Sequence, residues 1–396
     1  MNNKIIVVGG GASGFMAAIQ AARGGAAVTI LEQNGKFGKK LLSTGNGKCN
    51  LTNTESYTGC YRSSTPDFAS TVMFNFDVQQ TIRFFMEIGI YTKNKNGYLY
   101  PHSEQASSVV EVLEMEARSL KIKLKTQEEV RQIEKTENGF LVKTNTWEYP
   151  CDKVILACGS KASVIEGANG SGYKLAADLG HRIIKPLPAL TGIKGTDGFY
   201  SKWAGVRTGA CVTLAINGQK MKQETGEVQL TDYGISGIPV FQLSRYAARA
   251  LDENCTVSMF LDFLPEFSPE SLLTFLKTRR ERNPYKTLRE SLIGLFPEKL
   301  IDVLMMDADT EEALARKIKG LEVPVKETMS FDHAQVCSGG VDCQEINPMT
   351  MESALVPGVY FCGELVDVDG ACGGYNLQWA WSSGAVAGMA AAKSGA

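Results

Sequence analysis

Lys4-Ile-Ile-Val-Val-Gly-Gly-Gly-Ala-Ser-Gly14 decides the fold. Residues 5–8 are a run of β-branched side chains that breaks into glycine, the pattern of a buried parallel strand. Residues 15–23 follow as a helix of small side chains stopped by Gly24-Gly25, and residues 27–31 form a second apolar strand closed by Glu32. The unit is strand, turn, helix, strand, which requires a parallel sheet covered on its faces. Within it the spacing Gly9-x-Gly11-x-x-Gly14, with an acid eighteen residues beyond Gly14, matches the dinucleotide fingerprint. One glycine makes the tight turn, one lets a pyrophosphate approach the backbone, and one lets the helix pack on the strand. The helix N-terminus offers free N–H groups to phosphate, and an acid at position 32 selects an unphosphorylated adenosine ribose, as in FAD or NAD.

Outward from this unit, residues 35–53 are polar and glycine-rich without a helical or alternating period, which predicts a long ordered loop. Helices are expected over 77–89 and 105–120, a strand over 121–125, and a hairpin of 129–134 with 140–146 around Asn138-Gly139. Residues 153–157 return to a buried strand that stops at Cys158-Gly159. Beyond Pro186 and Pro188 the texture becomes β-rich, then mostly helical from 234 to 320, before residues 359–362 give a last buried strand ending in Gly363-Glu364. Gly373-Gly374 opens a final helix. The predicted fold class is α/β: one doubly wound dinucleotide-binding domain built from both chain ends and interrupted by an insert that is β-rich and then helical. The expected boundaries are 1–188 with 327–396 for the first and 189–326 for the insert.

Composition narrows the function. The 396 residues are 44% hydrophobic and 21% charged, enough for a sizeable core, and 41 Lys plus Arg against 43 Asp plus Glu give a net charge of -2. No broad basic footprint for nucleic acid follows, so no nucleic-acid partner is expected. Arg279, Arg280 and Arg282 read as a solvated helix face. Ten cysteines form no CxxC and only three histidines accompany them, so no metal site is expected. The N-terminal apolar run is too short for a signal core, and no stretch approaches the ~18–20 apolar residues of a membrane span. These features predict a cytoplasmic chain without membrane contact, whose cysteines are small buried hydrophobes.

The motifs Gly38-Lys-Lys-Leu-Leu-Ser-Thr-Gly-Asn-Gly-Lys-Cys-Asn-Leu-Thr-Asn53, Tyr233-Gly-Ile-Ser-Gly-Ile-Pro239, Ser338-Gly-Gly-Val341, Met349-Thr-Met-Glu-Ser353, Gly363-Glu-Leu-Val-Asp-Val-Asp-Gly370 and Gly373-Gly-Tyr-Asn-Leu-Gln378 resemble one bacterial flavoprotein family. It is the BaiN/YhiN-like, or aminoacetone-oxidase-like, family, and the resemblance covers nearly the whole chain; it implies a glutathione-reductase-type doubly wound FAD-binding domain with an inserted β-barrel-like and helical domain on the substrate side. It implies FAD as cofactor, with NADH or NADPH as a transient donor, since no second GxGxxG follows a strand. The cofactor contacts it implies, together with the fingerprint, are Gly9, Gly11, Ala12, Ser13, Gly14, Glu32, Gln33, Lys40, Leu41, Thr44, Gly45, Asn46, Gly47, Lys48, Asn50, Val130, Cys158, Gly159, Gly363, Glu364, Gly374, Asn376 and Leu377. Related sequences often carry Arg where this one has Lys48, which replaces a bidentate fork by a point charge. Cys49, Cys158, Cys362 and Cys372 are expected to pack rather than react. His102 and His333 read as structural, Tyr233 and Ser236 as lining substrate space, and no catalytic acid or base is assigned.

The implied activity is an FAD-dependent oxidoreductase acting on an apolar small molecule, by reduction of a conjugated C=C in a 3-oxo steroid or bile-acid-like substrate. The alternatives are a flavin oxidase of a small amine such as aminoacetone, a nicotinamide-dependent dehydrogenase without flavin, and a sensor or RNA-associated protein in which FAD is structural.

Overall fold

A computed structural model describes residues 3–55, 58–196 and 198–393 of the chain. Two compact units emerge: the residues up to Pro186 together with those from Val336, and Leu187–Gln335.

The first unit is built on a five-stranded parallel sheet in the order Val359–Phe361, Lys153–Leu156, β1 (Lys4–Val8), β2 (Ala27–Leu31) and Lys123–Lys125. The β1 side chains from Ile5 to Val8 are all buried, as a strand covered on both faces requires. Helix α1 (Ala12–Arg23) crosses from β1 to β2. The C-terminal helix Tyr375–Ala392 lies against α1 at a distance set by glycine: a Cβ on Gly384 would fall 2.5 Å from the Ser13 carbonyl oxygen, and one on Gly388 would fall 2.2 Å from that of Ala17. Backbone therefore packs on backbone along this seam. The same helix buries Trp379 and Trp381, whose indole N–H groups donate to the carbonyls of Gly363 (3.0 Å) and Leu51 (2.9 Å). Two rigid side chains thus fix two loops.

The second unit holds a closed six-stranded antiparallel barrel, running in ring order Ile193–Gly195, Gly234–Gly237, Gln219–Leu230, Arg207–Ile216, Val257–Asp262 and Leu321–Thr328. Val212, Leu214, Val228, Met259 and Leu261 alternate inward and are fully buried. Helices Ile238–Asp252, Pro269–Glu281 and Glu311–Gly320 complete the unit. Its boundaries fall at 186/187 and 335/336 rather than at 188/189 and 326/327. Residues 327–335 stay with the barrel because its last strand runs on to Thr328 and pairs Thr328 with Ile193.

Residues 35–53 differ from the expected irregular loop. They contain a one-turn helix Lys39–Ser43, a 3-10 turn Thr44–Gly47 and the two-residue strand Thr52–Asn53. None is long enough to show a period in the sequence.

Candidate functional site

Register gathers the site. Val8 pairs with both Leu31 and Leu156, and Leu156 pairs with Phe361, so four parallel strands end on one line. The turns that follow them, Gly9–Gly14, Glu32–Asn34, Ala157–Ser160 and Cys362–Glu364, therefore stand side by side at the carboxyl edge of the sheet. Ligands of open α/β sheets bind at that edge.

The three fingerprint glycines divide their work. Gly9 has φ +108°, and a Cβ there would strike the Ala157 carbonyl oxygen at 2.4 Å. A Cβ on Gly14 would lie 1.9 Å from the Gly9 oxygen, so this glycine lets α1 rest on the turn. Gly11 caps α1 in extended conformation, and a Cβ there would meet nothing within 4 Å. Two glycines serve packing and the middle one faces open space. Gly159 likewise faces open space.

Glu32 is 92% shielded, with relative exposure of 8%. Its carboxylate accepts from Gly10 N–H at 2.8 Å and from the backbone and side-chain amides of Asn34 at 2.9 and 2.7 Å. Gln33 donates to the Gly167 carbonyl at 2.8 Å, bringing residues 166–169 beside the same acid. Val130 is buried at the start of the strand Val130–Thr136. Phe37 closes the turn from above: a Cβ on Gly10 would fall 2.2 Å from its ring.

The 35–53 segment brings Lys40 to Glu364, Nζ to Oε2 at 2.5 Å, and Ser160 donates to the same oxygen at 2.8 Å. Two strand-end turns and the 35–53 segment thus meet at one partly shielded carboxylate. Gly45, Asn46 and Gly47 are all left-handed, with φ of 55°, 54° and 81°, which explains the Gly-Asn-Gly triplet. Thr44 donates its hydroxyl to the Leu41 carbonyl at 2.6 Å, and Leu41 is buried. Asn50 is buried with its Oδ1 lacking a protein donor, and a Cβ on Gly374 would lie 2.9 Å from that oxygen. An acceptor without a partner at the head of the C-terminal helix is a demand for a ligand donor.

Not every expected contact is placed for side-chain binding. Asn376 is spent on the preceding turn, accepting from Gly370 N–H at 2.7 Å and donating to the Gly370 and Ala371 carbonyls. It and Leu377 would meet a ligand through the first N–H groups of the helix. Lys48 is drawn to Glu104, 3.4 Å away. Ser13 packs under Gly363, where a Cβ would fall 2.4 Å from its Oγ, and leaves Ala12 and its own backbone at the helix start. Burial pushes the thiols of Cys49, Cys158 and Cys362 up to about 12, so at neutral pH they are neither thiolates nor nucleophiles. His102 and His333 are exposed, while Tyr233 and Ser236 belong to the barrel unit, Ser236 buried in the strand Gly234–Gly237.

Sequence reasoning missed Asn34, Phe37 and Ser160. Ser160 directly follows the Ala-Cys-Gly strand end, a proximity that could have found it. It also passed over His181, which is buried with Nδ1 3.0 Å from Glu345 and Nε2 2.8 Å from Ser353. Its two partners lie more than 160 residues away, beyond any local signal.

An open glycine at a helix start, a buried acid at the next strand end and an unpartnered acceptor beside a second helix start fit a long dinucleotide lying along the sheet edge. The class so defined is the Rossmann-type, FAD-dependent oxidoreductases. Within it, the chain belongs to the HI0933-like protein Rossmann domain family, whose model matches residues 3–390. It is 45% identical to the 3-dehydro-bile acid delta(4,6)-reductase of Clostridium scindens over 99% of both chains. It is 31% identical to the ribosomal RNA dihydrouridine synthase of Haemophilus influenzae over 96% of both. Among solved structures it resembles the 3-ketosteroid-delta4-(5alpha)-dehydrogenase of Rhodococcus jostii, at a TM-score of 0.48 and 14% identity, covering 99% of this chain and 97% of that one.

Proposed function

We propose that this chain reduces a carbon–carbon double bond conjugated to a carbonyl, in a 3-oxo steroid of the bile-acid type, with NADH or NADPH as electron donor. The observation that carries the reading is the 45% identity, end to end, to a reductase of such a substrate. Bound FAD supplies the two-electron relay between donor and substrate. In balance, the dihydronicotinamide gives up one hydride, the double bond gains that hydride equivalent and one proton, and the oxidised nicotinamide leaves.

The chain's own residues hold the cofactor. The N–H groups at the start of α1, with Gly11 and Gly159 leaving room, take the pyrophosphate. Glu32 keeps lone pairs for the adenosine ribose beside its bonds to Gly10 and Asn34. Glu364, steadied by Lys40 and Ser160, and the free Asn50 oxygen serve the polyol and ring half. The head of the C-terminal helix presents positive potential that would favour the two-electron chemistry the flavin supplies when bound.

Anaerobic mixing of the purified yellow protein with each nicotinamide, followed by an unsaturated 3-oxo bile acid, tests the reading. Bleaching by a nicotinamide and recovery of colour by the enone are expected. Fast recovery in air coupled to amine loss, with no response to nicotinamide, would sink it and favour the amine oxidase.

A second reading has its own support in the 31% identity to an RNA-modifying relative. Dihydrouridine is uridine saturated at a double bond conjugated to a ring carbonyl, so the chemistry is shared and only the carrier differs. Gain of two hydrogens by a uridine in ribosomal RNA, with no turnover of the steroid, would select it.

A further inference from the structure

A hairpin beside the proposed cofactor turns carries an outward face of rings and ammonium groups that the cofactor reading does not use. Its strands Thr92–Lys95 and Tyr98–Pro101 pair Thr92 with Pro101, Lys93 with Tyr100 and Lys95 with Tyr98. A bond from His102 N–H to the Tyr91 carbonyl at 2.8 Å extends the pairing by one residue. Strand alternation turns Leu99 and Pro101 into the protein and Tyr91, Lys93, Lys95, Tyr98, Tyr100 and His102 to the other face.

That face combines rings with ammonium groups. Tyr91 is 71% exposed and its ring is tilted 40° to that of His102, with centroids 5.6 Å apart. Lys95 Nζ lies 5.5 Å from the centre of the Tyr100 ring. Three lysines converge on Glu104: Lys95 at 2.7 Å, Lys93 at 3.0 Å and Lys48 at 3.4 Å. Hydrogen bonds from Lys95 and Lys93 hold the Glu104 carboxyl down to about 2, so it stays ionised and still leaves the lysines in excess. Counting Glu55, which flanks Gly97 at the hairpin tip, the cluster remains positive by one charge.

Exposed rings beside ammonium point charges are what a phosphate-bearing base recognises: the ring stacks and the ammonium groups meet phosphate. The patch extends along two paired four-residue strands, about 13 Å at ~3.3 Å per residue. A single dinucleotide fits this extent better than a polymer. The face also borders both glycine turns. A Cβ on Gly45 would lie 3.5 Å from the Tyr100 ring, and one on Gly373 would lie 2.7 Å from the Tyr98 ring.

We propose that this hairpin face is the landing site of the nicotinamide donor, with Lys93 and Lys95 meeting its phosphates and Tyr91 with His102 stacking on its adenine. The inference rests on the reading above that a nicotinamide reduces the bound flavin. It would explain how a chain with one dinucleotide fingerprint handles two dinucleotides, one bound within the fold and one docked on its surface.

The test uses the flavin-loaded protein and separates its two half-reactions. The donor Kd is read from the concentration dependence of anaerobic flavin bleaching by NADH and NADPH; enone reduction is read from colour recovery after dithionite reduction. For the Lys93→Ala/Lys95→Ala variant the donor Kd should rise about tenfold, a loss of about 1.4 kcal/mol. Its flavin content, unfolding temperature and enone half-reaction should match wild type. Lys93→Arg/Lys95→Arg should restore the Kd, and added salt should weaken donor binding in wild type more than in the alanine variant. Tyr91→Ala should raise the Kd by roughly fivefold or more. Bleaching with an unchanged Kd in these variants overturns the landing site alone. No bleaching of wild type by either nicotinamide overturns the donor reading and the landing site with it. A defect confined to binding of a uridine-containing RNA assigns the face to nucleic acid and also overturns it.

Discussion

The middle glycine of the fingerprint separates a cofactor cradle from a tight turn that merely packs. Gly11→Ala places a methyl where no atom lies within 4 Å, on a residue whose φ of -91° suits alanine. Removing chain freedom from the unfolded state stabilises by about 0.4–1 kcal/mol, and exchanging glycine for alanine at a helix cap costs a similar amount, so the two offset to within about 1 kcal/mol. The flavin-free protein should keep its unfolding temperature to within about 3 °C. If phosphate occupies that space, the methyl overpacks it at a cost of about 1–3 kcal/mol, or roughly 5- to 150-fold in Kd. Flavin released on denaturation, and titration of the stripped protein with FAD by fluorescence, read that number. Gly14→Ala is the opposite case. Its methyl would sit 1.9 Å from a backbone oxygen, so the turn or the helix must move, and stability falls with or without flavin. Full FAD affinity in Gly11→Ala would refute the assignment of this space to the cofactor and leave the motif a structural turn.

Three further outcomes follow from the same geometry. Glu32→Ala strands the Gly10 N–H and both Asn34 amides, costing about 1–3 kcal/mol in chemical denaturation; Glu32→Gln keeps one acceptor oxygen but sets its NH2 against the other donor, so it should lose part of that stability and weaken FAD retention about tenfold. Gly388→Ala should destabilise strongly, because its methyl would lie 2.2 Å from the Ala17 oxygen; an unchanged unfolding temperature would refute the seam between α1 and the C-terminal helix. Burial lowers the pKa of His181 against the opposing pull of Glu345. The folded protein therefore binds its proton less readily than the unfolded chain: the stability is present above the ordinary histidine value near 6.5 and is lost as pH falls through the lower folded value. Unfolding temperature should drop between about pH 7.5 and about pH 5.5 in wild type and drop less in His181→Gln, with equal slopes counting against the argument.

What could be read from the sequence was what neighbouring residues decide among themselves. The β-branched run before Gly9, the Gly-x-Gly-x-x-Gly spacing and the apolar strands ending at Gly159 and Gly363 each carry their own turn chemistry, and the sheet places them at one edge. The Asp77 cap of the helix Val78–Glu87 was equally local, being a capping box with Gln80. Barrel closure was not, because the strands that seal it, Ile193–Gly195 and Leu321–Thr328, lie more than 120 residues apart. Nor could the sequence say that Lys40 turns to Glu364 while Lys48 turns to Glu104, since both partners are set by tertiary register.

That register also explains why the site draws on both ends of the chain. The strand Val359–Phe361 pairs with Lys153–Leu156, which pairs with β1, and only this order sets Gly363 over Ser13 and Glu364 beside Lys40. The seam at Gly384 and Gly388 and the bonds from Trp379 to Gly363 and from Trp381 to Leu51 make the last helix the clamp that holds both loops. Loss of that helix would leave the fingerprint turn formed but unaccompanied. The buried Leu51 carbonyl and the Gly363 turn would lose their donors, each costing about 1–3 kcal/mol, and the Asn50 acceptor would lose the glycine-lined wall at its side. A cofactor lying along this sheet edge would therefore need both ends of the chain, because the residues before the strand Lys153–Leu156 carry the fingerprint turn and Glu32, while Glu364 and the helix head beside Asn50 come from the C-terminal end.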